Sequence, residues 1–372
     1  MLVLLEDLGG GTGNHVCQML ARWRSEHWQV TLVTQTPPLV QQLPPGIDVR
    51  VAHRAGWYDR FPLAQVRRLI ELRRIVRAVK PDVVHTYFFW SIVYGRILKL
   101  IGEIPVLVEN REDLGFSWDR GDYMILRLTN SIPDRIICVA GAVRRVVADR
   151  EGADRARTAV IHNGIDIDSP ETVDRVTARR RFGFENGHVV IGMVANLPRA
   201  VKGGRRLLDA VGAIVAAVPA VRFLMVGVGT ERETLAAELA ARGIGEYVVG
   251  TGYRRDVEAC YAAMDISVLT SLSEGLSITL LESMRHALPT VVTRVGGNPE
   301  LVVDGVTGFL VPVDDPAAFV DRVVALARDG RLRREMGAAG RRRVREQFAL
   351  GDVAQRYLAV YEELLGVGRS SA

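Results

Sequence analysis

The stretch ISVLTSLSEGLSITLLESMRHALP, residues Ile266 to Pro289, decides how this chain is read. It opens on a short apolar run of strand type. From Ser277 onward the apolar positions take helical spacing, and Pro289 stops the helix. A strand that feeds directly into a helix is the unit of a parallel sheet, and in open sheets of this kind ligands bind at the carboxyl ends of the strands. The loop at that end carries Glu274, and Glu282 follows with seven residues between them. The amides of Gly275, Leu276, Ser277 and Ile278 then open a helix, where the first N–H groups lack intrahelical acceptors and form an anion site suited to phosphate. Glu282 lies more than one turn further on and reaches the same ligand only away from the phosphate, at a point such as a ribose hydroxyl. Glu274, acceptor-only when ionised, suits the vicinal hydroxyls of a sugar. Two carboxylates would thus bracket a nucleotide-sugar with its diphosphate on the helix amides. The plainer alternative is a dipole partner and a surface glutamate, and two glutamates at this spacing are weak evidence on their own.

Outward from this stretch the same alternation repeats. Strand-like runs occur at LVLLEDL, QVTLVT, DVVHTY, PVLVEN, RIICVA and TAVIHNG in the first half, and at VVIGMVANL, RFLMVGVG, YVVGTGY, ISVLTS, PTVVTR and GFLVP in the second. Short Val/Ile/Leu runs separated by longer amphipathic stretches indicate parallel strands covered on both faces by crossover helices. The predicted fold is α/β, with two doubly wound Rossmann-like domains facing a central cleft. The 372 residues suit two domains. The polar, turn-rich run from His162 to His188 is the expected boundary, which gives an N-terminal domain over 1–166 and a C-terminal domain over 185–350. A helix over 351–366, with Val353, Tyr357, Leu358, Tyr361 and Leu365 on one stripe, is expected to pack back on the N-terminal domain.

Composition narrows the partners. The formal net charge is +5, and all of it lies in the first 165 residues, which hold 22 Lys+Arg against 17 Asp+Glu. Acidic residues are interspersed throughout, which argues against a nucleic-acid groove and leaves an acidic ligand or an anionic membrane surface. The Arg-rich run QVRRLIELRRIVRAVK reads first as a solvated helix face over the sheet, and second as a surface for peripheral membrane association. Cys17, Cys138 and Cys260 are scattered in apolar contexts with no metal-ligand spacing, which suggests a reduced, cytoplasmic protein without disulfide or zinc site. No secretory leader or membrane span is evident.

A second loop supports the anion site. VANLPRAVKGG follows the first strand of the second half and offers Arg199 and Lys202 beside two glycines. The chain has only three lysines, so one in a glycine-flanked loop is informative, because a compact ammonium approaches phosphate as a point charge. These segments, together with FLMVGVGTERETL and LPTVVTRVGGNPELVVDGVTGFLVPVDD, resemble in order and spacing the donor-binding domain of glycosyltransferase family 4, whose members are retaining enzymes of GT-B fold. The resemblance implies that Glu274 contacts the donor sugar, Glu282 the ribose, and Arg199 with Lys202 the leaving diphosphate. It also implies that Asn196 belongs to the donor site, that the backbone around Tyr253 and Arg254 holds the base, and that Gly10 and Gly11 in GGTGNHV close over the diphosphate.

The chain departs from that pattern in places. Asn196 stands where many members have an arginine six residues before the lysine. The first half reads VLVENREDLGF where the family often carries a histidine near the reacting carbon, so Glu109, Asn110, Arg111 and Asp113 occupy the region. His85, Arg111 and Asp113 become the acceptor-side candidates, with His85 equally readable as structural. Ala287 replaces a common glycine. The sequence DID at Asp166 to Asp168 resembles a metal-binding motif but sits in the linker, so no metal and no cofactor are expected. The predicted activity is transfer of a sugar, a UDP-sugar for preference, to a glycan, polyprenyl-linked or small-molecule hydroxyl. A nucleotide-sugar 2-epimerase of the same fold and an inactive sugar-nucleotide-binding subunit are the rival readings. A dinucleotide oxidoreductase is disfavoured because GGGTGNH and GVGTERE leave GxGxxG incomplete at Asn14 and Arg232. The aromatic loops HRAGWYDRFP and REDLGFSWDRGDYM, with Trp57, Tyr58, Phe116 and Trp118, match no substrate code.

Overall fold

A computed structural model describes residues 1–6, 8, 10–25, 27–35, 43–52, 62–169 and 173–366. The chain divides into two compact units, residues 1–166 with 350 onward, and residues 167–349. Trp57 and Tyr58 lie outside the described residues.

Unit 1 holds seven parallel strands in the order β3-β2-β1-β4-β5-β6-β7. They are β1 (Leu2–Leu5), β2 (Thr31–Thr34), β3 (Asp48–Val51), β4 (Val83–Thr86), β5 (Val106–Arg111), β6 (Arg135–Cys138) and β7 (Thr158–Val160). The central strands are buried at every position, as a sheet covered on both faces requires. β3 is a strand that the sequence reading missed. It is DVRV, an edge strand exposed at three of four positions, so it shows no apolar run to detect. On one face the helix Pro62–Val79 supplies Leu72 and Val76, and the helix Phe89–Leu100 supplies Tyr94 and Leu98, to a cluster with Leu2, Leu4 and Leu107. On the other, Val16, Met19, Leu20 and Trp23 of the helix Gly10–Trp23 pack with Val3, Leu5 and Ile137.

The helix Leu350–Leu365 completes this second face. Leu350, Val353, Ala354, Tyr357, Leu358 and Tyr361 are buried in the same cluster. These positions repeat at three- and four-residue spacing, so one stripe of the last helix is apolar and finds its cover on unit 1. Polar tips are satisfied inside the cluster, with Tyr357 donating to Asn110 Oδ1 at 3.1 Å and Tyr361 Oη 2.8 Å from His85 Nδ1.

Unit 2 holds six parallel strands in the order β10-β9-β8-β11-β12-β13. They are β8 (Val189–Val194), β9 (Val221–Val226), β10 (Val248–Gly250), β11 (Ile266–Leu269), β12 (Thr290–Thr293) and β13 (Gly308–Val311). Its lower boundary corrects the reading of 167–184 as linker. The helix Arg175–Arg181 belongs to unit 2, where Ala178, Phe182 and Phe184 are core residues. Four arginines on so short a helix hid it. In the structure Arg175 and Arg179 both pair with Asp265, just ahead of β11.

Candidate functional site

In unit 2 the strand order reverses at β8, which pairs with β9 on one side and β11 on the other. A ligand crevice in an open parallel sheet forms at the carboxyl ends of the strands where the order reverses. Two loops leave β8 and β11 at that end. The first contains a short 3-10 turn, Ala200–Lys202, followed by Gly203 and the helix Gly204–Ala217. The second runs from Thr270 to Ser277 and enters the helix Ile278–Arg285.

Backbone bonds fix these loops to each other. Leu272 N donates to Val201 O at 2.7 Å, and Thr270 Oγ1 donates to Gly203 O at 2.7 Å. Gly203 has φ +69°, and a Cβ there would lie 1.9 Å from Thr270 O, so the approach requires glycine on both counts. A third loop follows β12. Gly296, with φ +50°, presses on the backbone of Glu274 so closely that a Cβ would fall 1.6 Å from its carbonyl oxygen. Gly297 N donates to Gly275 O at 2.9 Å.

On this frame Lys202 and Glu274, 72 residues apart, meet. Lys202 Nζ lies 2.8 Å from both carboxylate oxygens, and Ser271 Oγ donates to Oε1 at 2.6 Å. Glu274 is buried and the lysine side chain is 26% exposed, so the lysine is the member of this pair that meets solvent. The helix Ile278–Arg285 begins beside them. Ser277 caps it, accepting from Leu280 N at 3.4 Å. The first-turn amides of Ile278 and Thr279 have no intrahelical acceptor, as the opening of any helix dictates. A cation and a helix N-terminus thus share the carboxyl edge of β8 and β11, which is the electrostatics of a diphosphate site.

Glu282 lies on the same helix and is half-buried. Burial raises its carboxyl above the ordinary range, and the hydroxyl of Tyr261, 2.6 Å away, works against that rise. Asn196 Oδ1 accepts from Val228 N at 3.1 Å and so ties the loops after β8 and β9. Arg199 is exposed. Tyr253 is exposed, whereas Arg254 donates two hydrogen bonds to Asp256, at 2.8 and 2.7 Å, and lies over the ring of Phe182, so its side chain is committed within the unit. Ser271 and Tyr261 were missed by sequence reasoning. Ser271 left one trace, three residues ahead of Glu274 in a capping-type spacing. Tyr261 left none, because its partner is on another helix.

In unit 1, Gly10 and Gly11 open the helix Gly10–Trp23, Gly10 with φ +76°. Two acceptor-side candidates are corrected. His85 is fully buried among Trp23, Tyr87, Tyr357 and Tyr361, and burial lowers its pKa to about 3. Arg111 is equally buried, pairing with Glu109 and Glu151 at 3.0 Å each, while Arg96 holds the other side of Glu109 at 2.7 Å. This is a buried internal ion cluster, although Arg111 Nη1 has no hydrogen-bond partner in it. Asp113 is exposed and accepts from Gly115 N at 2.6 Å, shaping its own turn. Glu112 is the group in this region that the sequence reading passed over. It accepts from Thr12 Oγ1 at 3.4 Å, at the start of the glycine-led helix, and desolvation pushes its carboxyl up to about 7. Asp166 of the DID sequence bonds Arg22 at 3.3 Å. Among the described residues no group of three His, Cys, Asp or Glu side chains could hold a metal ion.

Comparison with known proteins bears on the family and the fold. Residues 9–169 match the family described as Glycosyltransferase Family 4, and residues 188–329 match Glycosyl transferases group 1. The chain is 31% identical over 192 residues to N-acetyl-alpha-D-glucosaminyl L-malate synthase of Bacillus anthracis, an alignment covering 52% of this chain and 50% of that one. It is 31% identical over 240 residues to D-inositol 3-phosphate glycosyltransferase of Geodermatophilus obscurus, covering 61% and 52%. The chain thus spans about half the length of these curated relatives. HepE of Anabaena, solved in complex with UDP and glucose, superposes with a TM-score of 0.82 over 97% of this chain and 99% of that one, at 21% identity. That likeness gives the GT-B fold.

Proposed function

The chain belongs to glycosyltransferase family 4, and from that premise we propose that it is a retaining glycosyltransferase that moves a sugar from a nucleoside-diphosphate donor to an acceptor hydroxyl. The observation that carries this reading is the meeting of Lys202 and Glu274 beside a helix N-terminus, where β8 and β11 diverge. Lys202 and the amides from Gly275 to Ile278 hold the diphosphate, with Arg199 beside them. Glu274 accepts from hydroxyls of the donor sugar and Glu282 from the ribose. As the glycosidic bond breaks, negative charge grows on the β-phosphate. Fixed donors already aimed there lower the barrier, by several kcal/mol for groups of this kind, because they need no reorganisation. The acceptor hydroxyl enters on the face that the diphosphate leaves, and the phosphate takes its proton. No metal is needed for this scheme.

A UDP-sugar is the favoured donor, with support from the UDP bound to Anabaena HepE; GDP-mannose is the next choice. The names of the two relatives, L-malate and inositol 3-phosphate, favour a small hydroxylated acceptor bound by unit 1 over a polymer.

The test is a thermal-shift panel of UDP, GDP and ADP and their sugars, followed by donor turnover with and without candidate acceptors. One nucleotide should raise the unfolding midpoint, and turnover should need an acceptor. Conversion of the donor without an acceptor would point to an epimerase, and binding without turnover to an inactive subunit.

Peripheral membrane association is also part of this reading. No helix among the described residues is long and apolar enough to cross a bilayer. Part of the basic run on the helix Pro62–Val79 is neutralised, since Arg73 and Arg77 share Glu103. Stronger support comes from the helix Arg120–Thr129, whose Met124, Ile125 and Leu128 form an outward apolar stripe beside Arg120 and Arg127. Co-sedimentation with anionic vesicles should be lost when these three become serine.

A further inference from the structure

Behind Glu282 stands a group of ionisable side chains that the transfer scheme above does not use. Glu258 and Tyr261 come from the helix Val257–Ala263, Arg285 from the end of the helix Ile278–Arg285, and His286 from its C-cap. His286 N donates to Glu282 O at 3.1 Å, so the two side chains leave the helix one turn apart and on the same side. The His286 ring stacks on Tyr261, with centroids 5.3 Å apart and planes at 19°, and its side chain is 7% exposed. The imidazole therefore lies against the ring whose hydroxyl holds the Glu282 carboxylate.

His286 Nε2 faces two groups with opposite demands. Glu258 Oε2 is 2.7 Å away, buried, and otherwise without a hydrogen-bond donor. Arg285 Nη2, which donates to Glu258 Oε1, is 3.0 Å from the same ring nitrogen. A guanidinium only donates, and an ionised carboxylate only accepts. A charged ring carries a proton on Nε2 and serves Glu258; a neutral ring can keep its proton on Nδ1 and accept from Arg285.

The other charges nearby are engaged elsewhere. Arg285 Nη1 donates to Ser169 O at 3.1 Å. Asp256, at the head of the helix Val257–Ala263, is taken by Arg254 and by Arg181 of the adjoining helix. The helix Gly330–Gln347 meets this corner through Gly337 and Gly340, which lie against Ala287 and Met284 and bring no side chain. On Glu282 itself burial raises the carboxyl and the Tyr261 bond lowers it; the charge of Glu258 raises it, and those of Arg285 and His286 lower it. Of these three charged types, imidazole is the one whose charge ordinarily changes between about pH 5 and 8.

We propose that His286 is a positioning residue of the nucleotide site: its proton, placed between Glu258 and Arg285 on a ring stacked against Tyr261, sets how well Glu282 accepts the donor's hydroxyls. The nucleotide part of this statement rests on the transferase reading; the coupling of His286 to Glu282 does not.

The test uses the full chain labelled with 13C at the glutamate carboxyls. The Glu282 resonance, identified by its absence from Glu282→Gln, is followed across pH without ligand in wild type and in His286→Phe, which keeps an aromatic ring on Tyr261 and carries no charge. Its midpoint should lie higher in the variant. UDP affinity over the same series should be at least about threefold lower in His286→Phe at the acid end and equal to wild type at the alkaline end. In a Glu282→Gln background the same substitution should leave the UDP profile unchanged. An unmoved Glu282 midpoint, an affinity offset that is the same at every pH, or an effect that persists in Glu282→Gln overturns the proposal. Should His286→Phe fail to fold, His286→Gln takes its place. The wild-type Glu282 resonance should in any case show a second inflection where the His286 ring titrates, and its absence overturns the proposal equally. If UDP fails to bind the wild type while the midpoint moves as expected, the donor reading falls and the coupling stands.

Discussion

Tyr261 donates its hydroxyl to Glu282 Oε2 at 2.6 Å, linking the helix Val257–Ala263 to the helix that opens the anion site. Burial raises the Glu282 carboxyl, and this bond does most to hold it down. Tyr261→Phe leaves the burial and removes the bond, so the carboxyl should titrate higher. If ribose hydroxyls donate to the charged form, nucleotide affinity rises as pH climbs through the Glu282 pKa, and in the variant that rise shifts to higher pH. A hydrogen bond to a charged group contributes roughly 1.5–3 kcal/mol, so UDP should bind at least about tenfold more weakly at the acid end of the series. Calorimetric titrations across pH read this directly, and superimposable profiles would take Glu282 out of the nucleotide's contacts.

Glu274 neutralises the ammonium that the diphosphate is proposed to meet. Glu274→Gln therefore frees Lys202, and UDP should bind at least as well as in wild type while turnover falls by about two orders of magnitude or more. Lys202→Met should abolish the UDP-dependent rise in unfolding midpoint. It should also cost roughly 1–3 kcal/mol of stability, since it leaves a buried carboxylate with only the Ser271 hydroxyl. The double variant should recover the stability and not the binding. An undiminished UDP response in Lys202→Met would remove that lysine from the site.

What the sequence showed and what it hid follow from where each signal resides. All six strands of unit 2 are apolar runs because both sheet faces are covered, and Glu274, Lys202 and Glu282 stood out because they break apolar or glycine-rich context. β3 had no such signature, since an edge strand with one neighbour needs little apolar surface. Arg111 and Glu109 looked functional because charge at a strand end usually is. Their mutual pairing with Arg96 and Glu151 joins residues up to 55 positions apart, which no local spacing reveals. Arg68 is one of six cations in a run, and the spacing gives no sign that it alone of them is buried.

That correction is itself testable. Arg111→Met breaks one side of a buried cluster and leaves Glu151 without its partner, so it should cost about 3–5 kcal/mol in urea unfolding. In whatever fraction folds, the apparent KM for an acceptor should match wild type. A stable variant with a raised KM would restore Arg111 to the acceptor side.

Two glycines with similar backbone conformations separate strain from contact. Gly243 has φ +65° with open space where a Cβ would go, so Gly243→Ala should cost only about 1 kcal/mol. Gly296→Ala carries the same backbone strain and in addition drives a methyl group into the Glu274 carbonyl. It should cost roughly 3 kcal/mol and, by displacing the loop that bears Glu274, weaken UDP binding, which Gly243→Ala leaves alone. Equal effects of the two on UDP binding would separate the Gly296 loop from the donor site.

Glu112 gives unit 1 a pH dependence of predictable sign. Desolvation lifts its carboxyl from the ordinary 4.5 to about 7, against weaker opposing bonds from Asn110, Asn163 and Thr12, with the charge of Asp113 adding to the rise. Between those two pH values the folded chain keeps the proton that the unfolded chain has released, so this group favours folding at low pH and the benefit disappears as pH rises through 7. The span corresponds to at most about 3 kcal/mol, less whatever solvent screening the half-buried group enjoys. Glu112→Gln cannot ionise and keeps the same shape, so the variant should gain on the wild type steadily between about pH 4.5 and 7 and hold that advantage above. Urea unfolding at half-unit steps of pH measures the difference. A constant offset across the series would mean that Glu112 keeps its charge in the folded chain and that Thr12 and Asn110 suffice to hold it.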